Sequence, residues 1–128
     1  MGLFRADSVA LSYSNVEGAK QWWIDTFGCK VVRVPQNWDN PLPSDVALTL
    51  PGDNEPTILL SAQSEVAQAR FERPSLVATS IFCDKLKKAH EHLSSRGVLA
   101  GPIQDGEDMQ FFEIRDPEGH LIEICKEP

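Results

Sequence analysis

A chain of 128 residues, 41% apolar and 24% charged, is long enough for one domain with its own core. A formal net charge of −7 excludes the basic face that nucleic acid requires, and Lys85, Lys87 and Lys88, with Glu91 close by, read as a solvated helix face. No apolar run approaches the roughly 18 residues of a membrane-spanning helix. The opening MGLFRADSVAL lacks signal-peptide form, and Cys29, Cys83 and Cys125, without CxxC spacing, read as reduced, buried thiols of a cytoplasmic protein.

In chain order, SVALSYSN (8–15) reads as a strand. A helix is predicted over about 16–26, with Ala19, Trp22, Trp23 and Phe27 near the 3.6-residue period and Gly28 as its terminator. KVVRVP (30–35), DVALTL (45–50) and TILLS (57–61) follow as strands. The loop PQNWDNPLPSD (35–45) is polar, with three prolines around Trp38, and reads as a lid, a dimer contact or a loop packed on itself. Residues 62–74 form a linker whose Arg70, Phe71, Glu72 and Arg73 could cross to a partner subunit.

LVATSIFC (76–83) opens a second series. Its helix, over about 84–96, has Asp84 as N-cap, Leu86, Ala89 and Leu93 on one face, and a stop at Gly97. VLAGPI (98–103), MQFFEIR (109–115) and HLIEIC (120–125) read as strands. The pattern V-A-x-S recurs at an offset of 68, each time followed by a helix and three strands. The expected fold is α+β, a single domain over 1–128 built of βαβββ modules 7–61 and 75–126 joined by the linker 62–74. One helix shields only one face of its sheet. Two modules therefore leave a curved, mixed eight-stranded sheet, helices outside, whose other face lines a cleft.

Within FFEIRDPEGHLIEI (111–124), Asp116-Pro117-Glu118-Gly119 has the chemistry of a tight turn between two strands. Alternation puts Phe112, Ile114, Ile122 and Ile124 beneath the helices and Phe111, Glu113 and Glu123 on the cleft side. Two carboxylates there could receive a cation or act as acid and base, and Glu113 could equally pair with Arg115.

Paired βαβββ units closing on a strand–DPxGxxxE–strand hairpin resemble the vicinal oxygen chelate superfamily. It includes glyoxalase I, extradiol dioxygenases, fosfomycin resistance enzymes and bleomycin-resistance-type binding proteins. MQFFEIRDPEGHLIEI is similar to the closing pattern, and SVALSYSNVEGAKQWWIDTFGCKVV to the usual opening. The resemblance covers nearly the whole chain. It implies four inward metal-ligand positions, one near the start of each module's first strand and one on each last strand. These fall on Ser8, Leu59, Leu76 (or Ser75) and Glu123, the second by aligning 55–60 on 119–124.

A divalent cation takes three or four donors among His, Glu, Asp and Cys, and this set supplies one. Shifting by one residue about Leu59 or Leu76 recovers none. His90 and His92 lie on the second helix and His120 in the turn, so no metal or other cofactor is expected. Two functions from different classes follow. The first is a metal-independent protein that sequesters a small organic ligand in a cleft completed by a homodimer, with Glu123, Glu113, Phe111, Trp38 and Ser8 contacting the ligand. The second is a glyoxalase-like lyase, isomerase or dioxygenase whose metal ligands diverge or come from a partner subunit. A cleft that has lost its ligand, leaving only protein association, is the third reading.

Overall fold

Helix α1 (Val16–Phe27) starts where Asn15 Oδ1 accepts the Gly18 amide at 3.0 Å, and Glu17 suits the positive end of the helix dipole. It stops at Gly28, whose φ of 74° is the left-handed cap that a side chain would disfavour. Ala19, Trp23, Thr26 and Phe27 recur at helical spacing and bury one face of α1. The computed structural model describes residues 3–35, 41–68 and 79–127. Trp38, Arg70–Arg73, Ser75 and Leu76 lie outside them.

Around α1, strands β1 (Phe4–Arg5), β2 (Val9–Tyr13), β3 (Lys30–Val32), β4 (Val46–Thr49) and β5 (Ile58–Ala62) make up the first half, followed by the short helix α2 (Gln63–Gln68). The second half contains β6 (Thr79–Cys83), α3 (Leu86–Ser95), β7 (Gln104–Asp105), β8 (Gln110–Arg115) and β9 (Leu121–Lys126). Each βαβββ module is wound the same way. Its first strand runs parallel to its last, giving the orders β2-β5-β4-β3 and β6-β9-β8-β7.

The α+β class and the paired modules are those expected from the sequence, but the strands divide into a four-stranded and a five-stranded sheet. An unforeseen strand is responsible. β1 lies antiparallel along β6, with Phe4 opposite Cys83, and takes the edge at which one continuous sheet would have received β2. The chain then steps through Ala6–Ser8 into the other sheet.

Side chains sort by strand alternation. Val9, Leu11, Ile58, Leu60 and Leu48 in one sheet, and Ile81, Ile122, Ile124, Phe112 and Ile114 in the other, are buried. α1 packs on β2 and β5, and α3 on β8 and β9. Trp23 stacks on Phe27 with centroids 4.9 Å apart and is fully buried, while Trp22 stays half-buried at its edge.

Several sequence expectations need correcting. Matching β2 to β6 and α1 to α3 carries Val9 onto Thr79 and Val16 onto Leu86, an offset of 70 in place of 68. The V-A-x-S echo is therefore two residues out of structural register, and the repeat mate of Ser8 falls outside the described residues. The N-cap of α3 is Lys85, which makes no side-chain cap, so Asp84 does not cap the helix. Residues 98–103 form no regular strand. Pro102 lacks an amide to donate, pairing there reduces to the Ala100–Ile114 bridge and the Gly101 amide on Glu113 O, and the edge strand begins at Gln104. The start of the supposed linker is the helix α2.

Candidate functional site

The faces of the two sheets turned away from the helices differ in chemistry at equivalent positions. In the second module, β6, β9 and β8 put Ser80, Glu123 and Glu113 in one row, with Glu113 and Glu123 directly opposed across the antiparallel ladder. The next row is Phe82, Cys125 and Phe111. All are half-buried except Cys125, which is buried. In the first module the equivalent row is Ala10, Leu59 and Ala47. One half of this face is acidic with aromatic flanks, and the other is small and apolar.

Phe111, Glu113 and Glu123 thus share the face that alternation assigns to them, opposite Phe112, Ile114, Ile122 and Ile124. Gln104 Nε2 donates to Glu113 Oε1 at 3.5 Å from the edge strand. Arg115 donates from Nη1 to Gly119 O at 2.9 Å, and no ion pair joins it to Glu113 among the described residues. Burial, and after it the Glu123 carboxylate, raise the Cys125 thiol above its ordinary range, against a hydrogen bond with Ser80. Ser8 is exposed just before β2. His90 and His92 hold backbone carbonyls of Gly101 and Thr26 at 3.0 and 3.1 Å, away from this face. A cavity of about 230 Å³ between Phe4, Ile24, Phe27, His92 and Arg96 lies at the far ends of α1 and α3.

Of the four positions that the superfamily uses for metal, Ser8, Leu59 and Glu123 are described, and the first-strand position of the second module lies outside the described residues. A hydroxyl, an isobutyl group and one carboxylate do not fit a divalent cation, which needs several strong donors, and the sequence Ser75-Leu76-Val77-Ala78 holds no carboxylate, imidazole or thiol. No group of three or more His, Cys, Asp or Glu side chains converges among the described residues.

The closing hairpin forms a second constellation, whose role beyond a turn the sequence reading did not identify. The Asp116 side chain is fully buried; its Oδ1 accepts the amides of Glu118 and His120 at 3.0 and 2.8 Å, and His120 Nδ1 lies 2.9 Å from Oδ2. The His120 ring meets the Tyr13 ring edge-on, at 4.7 Å between centroids. Trp23 Nε1 donates to the Tyr13 hydroxyl at 3.1 Å, and burial, followed by hydrogen bonding with Asp116, raises that hydroxyl far above its usual range. Glu118 reaches across to the first module, where it accepts from the amides of Ser14 and Asn15 and from Ser14 Oγ. The amides at this helix start hold the Glu118 carboxyl below its usual value. Pairing a buried aspartate with Tyr13 and Trp23 needs contacts about a hundred residues apart, which spacing alone does not reveal.

A glyoxalase-like fold with an acid-and-aromatic face is thereby defined. The family model described as Glyoxalase/Bleomycin resistance protein/Dioxygenase superfamily matches residues 5–124, and the chain belongs to that superfamily. Among solved structures, lactoylglutathione lyase from Agrobacterium tumefaciens is similar with a TM-score of 0.70 and 17% identity, covering 93% of this chain and 91% of that one. A superfamily member from Sphaerobacter thermophilus DSM 20745 gives a TM-score of 0.70 at 20% identity, covering 96% and 97%. TioX from Micromonospora sp. ML1 gives 0.67 at 18% identity, covering 94% of each. At these identities the likeness is one of fold. No curated protein matches the sequence.

Proposed function

We propose that this protein binds a small organic molecule on the helix-free face without a metal. The observation that carries the reading is the inequality of the two equivalent rows, Ser80–Glu123–Glu113 against Ala10–Leu59–Ala47. Small-molecule sites are mostly apolar, with a few placed polar groups. Here Glu113 and Glu123 supply charge, Phe111 and Phe82 supply ring faces, and Leu59 with its alanine neighbours supplies apolar surface. Ser8 adds a hydroxyl at the rim in this reading, and Trp38, which lies outside the described residues, stays a ligand contact expected from the sequence alone. The three thiols, among which burial pushes Cys29 up to about 12 and Cys83 up to about 11, suit a reducing compartment such as the cytoplasm.

The test is a thermal-shift screen of small organic molecules, with hits confirmed by calorimetry on the wild type, Glu123→Gln and Phe111→Ala. Binding that survives chelation and weakens at least tenfold in both variants supports the reading. Binding unaffected by either variant would place the ligand elsewhere, and binding that requires added metal would refute metal independence.

A further inference from the structure

The cavity of about 230 Å³ lies where the last turns of α1 and α3 approach β1, on the helix side of the sheets and away from the face carrying Glu113 and Glu123. Phe4 and Phe27 line it, with ring centroids 4.9 Å apart, and Ile24 adds an aliphatic wall. His92 Nε2 donates to Thr26 O at 3.1 Å, which ties α3 to the end of α1, and the His92 ring lies against Phe4. The walls thus come from both modules and are held in place by contacts between them. The volume is below the about 300–1,000 Å³ of sites for drug-sized molecules, so the cavity suits a smaller occupant.

Two opposite charges line this cavity without meeting. Asp25 stands in the last turn of α1, where the helix dipole is already negative and no basic side chain offsets it. Its Oδ1 accepts from the Gln21 amide at 2.9 Å, a neutral partner that leaves the charge in place. Arg96 caps the end of α3, and no ion pair joins it to Asp25 or to another carboxylate among the described residues. A negative and a positive corner are therefore held apart beside an apolar wall. One small molecule satisfies all three surfaces if it carries an ammonium, a carboxylate and an apolar group.

We propose that this cavity binds a free α-amino acid with an apolar side chain. The ammonium faces Asp25 and the end of α1, the carboxylate faces Arg96, and the side chain packs on Phe4, Ile24 and Phe27. A simple amine would leave Arg96 without a partner, and a simple carboxylate would bring a second negative charge to the end of α1. Because the site draws on both modules, its occupancy stabilises the folded chain by mass action. It is separate from the face of Glu113 and Glu123, so neither reading depends on the other.

The test is calorimetric titration of the full chain with L-leucine and L-phenylalanine. It is repeated with leucinamide, which lacks the carboxylate, and with isocaproate, which lacks the ammonium. Asp25→Asn, Arg96→Gln and Glu123→Gln are titrated alongside, with folding checked by circular dichroism. The expected result is one amino acid per chain, weakened about tenfold or more by loss of either charge from the ligand or by either of the first two substitutions. Glu123→Gln should bind as the wild type does. No saturable binding of either amino acid at millimolar concentration would overturn the proposal. An analogue that binds as tightly as L-leucine, or a folded Asp25→Asn or Arg96→Gln protein with wild-type affinity, would do the same. Binding lost in Glu123→Gln would move the amino acid to the helix-free face and equally overturn it.

Discussion

Glu118 in the last hairpin accepts from the Ser14 amide at 2.7 Å and from Ser14 Oγ at 2.9 Å, so a turn near the C-terminus supplies the start of the first helix with hydrogen-bond acceptors. The first four amides of a helix have no partner within it. Asn15 satisfies one, that of Gly18, from its own side chain, and Glu118 of the second module satisfies the Asn15 amide itself. The DPEG turn is therefore a clasp between modules as well as a hairpin connection.

A pH dependence follows from this clasp. Because the folded chain holds Glu118 below its unfolded value of 4.5, its stabilisation is complete above that pH and is lost as pH falls through the lowered folded value. The melting temperature of the wild type should drop between pH 6 and pH 3 more steeply than that of Glu118→Gln, which lacks this titration. Parallel profiles would remove the clasp from the account. Arg5, paired with Glu127, contributes acid sensitivity of the same sign, and it remains in both proteins.

Asp116 should be far more costly to remove. Its buried carboxylate gathers two amides and the His120 ring, and Asp116→Ala leaves those donors without an acceptor. The expected loss is about 3–5 kcal/mol in urea unfolding, in the range found when one partner of a buried charged set is deleted. Tyr13→Phe, which removes the hydroxyl that receives Trp23 Nε1, should cost about 1–3 kcal/mol through the buried donor left behind. A loss under about 0.5 kcal/mol for Asp116→Ala would mean that water replaces the network.

The proposed site should show stability traded for function. Glu113 and Glu123 face each other directly, and like charges so placed destabilise a sheet. Glu123→Gln should therefore raise stability by about 0.2–1 kcal/mol while weakening ligand binding. A variant that loses both stability and binding would instead make Glu123 a structural residue.

The thiols should be inert in the native state. Burial pushes Cys29 up to about 12 and Cys83 up to about 11, so little thiolate exists at neutral pH. An aromatic disulfide reagent at pH 8 should label these cysteines only as the protein unfolds, and fast native labelling would contradict their burial.

Much of the fold was legible because its signals are local. Gly28 and Gly97 end the helices, with φ of 74° and 81°, and alternation on 111–115 and 121–125 separates Phe112 and Ile124 from Phe111 and Glu123. The misreadings have non-local causes. β1 is two residues long and exists because β6 offers an edge 75 or more positions away. The V-A-x-S echo matched letters where the modules match by pairing, at an offset of 70. Asp84 has capping chemistry, yet the helix begins two residues later. The candidate row was visible in part: Glu113 and Glu123 could be placed on one face, but Ser80 and Phe82 come from a strand whose register only the ladder defines.

The most direct test of the central claim is metal analysis of protein purified without chelators, with melting curves in Zn, Ni, Mn, Fe(II) and Co. The expected result is no stoichiometric metal and no shift, because Ser8 and Leu59 offer Glu123 no strong fellow ligand. About one metal per chain, with a rise in melting temperature that Glu123→Gln abolishes, would contradict the account and make this face a metal centre.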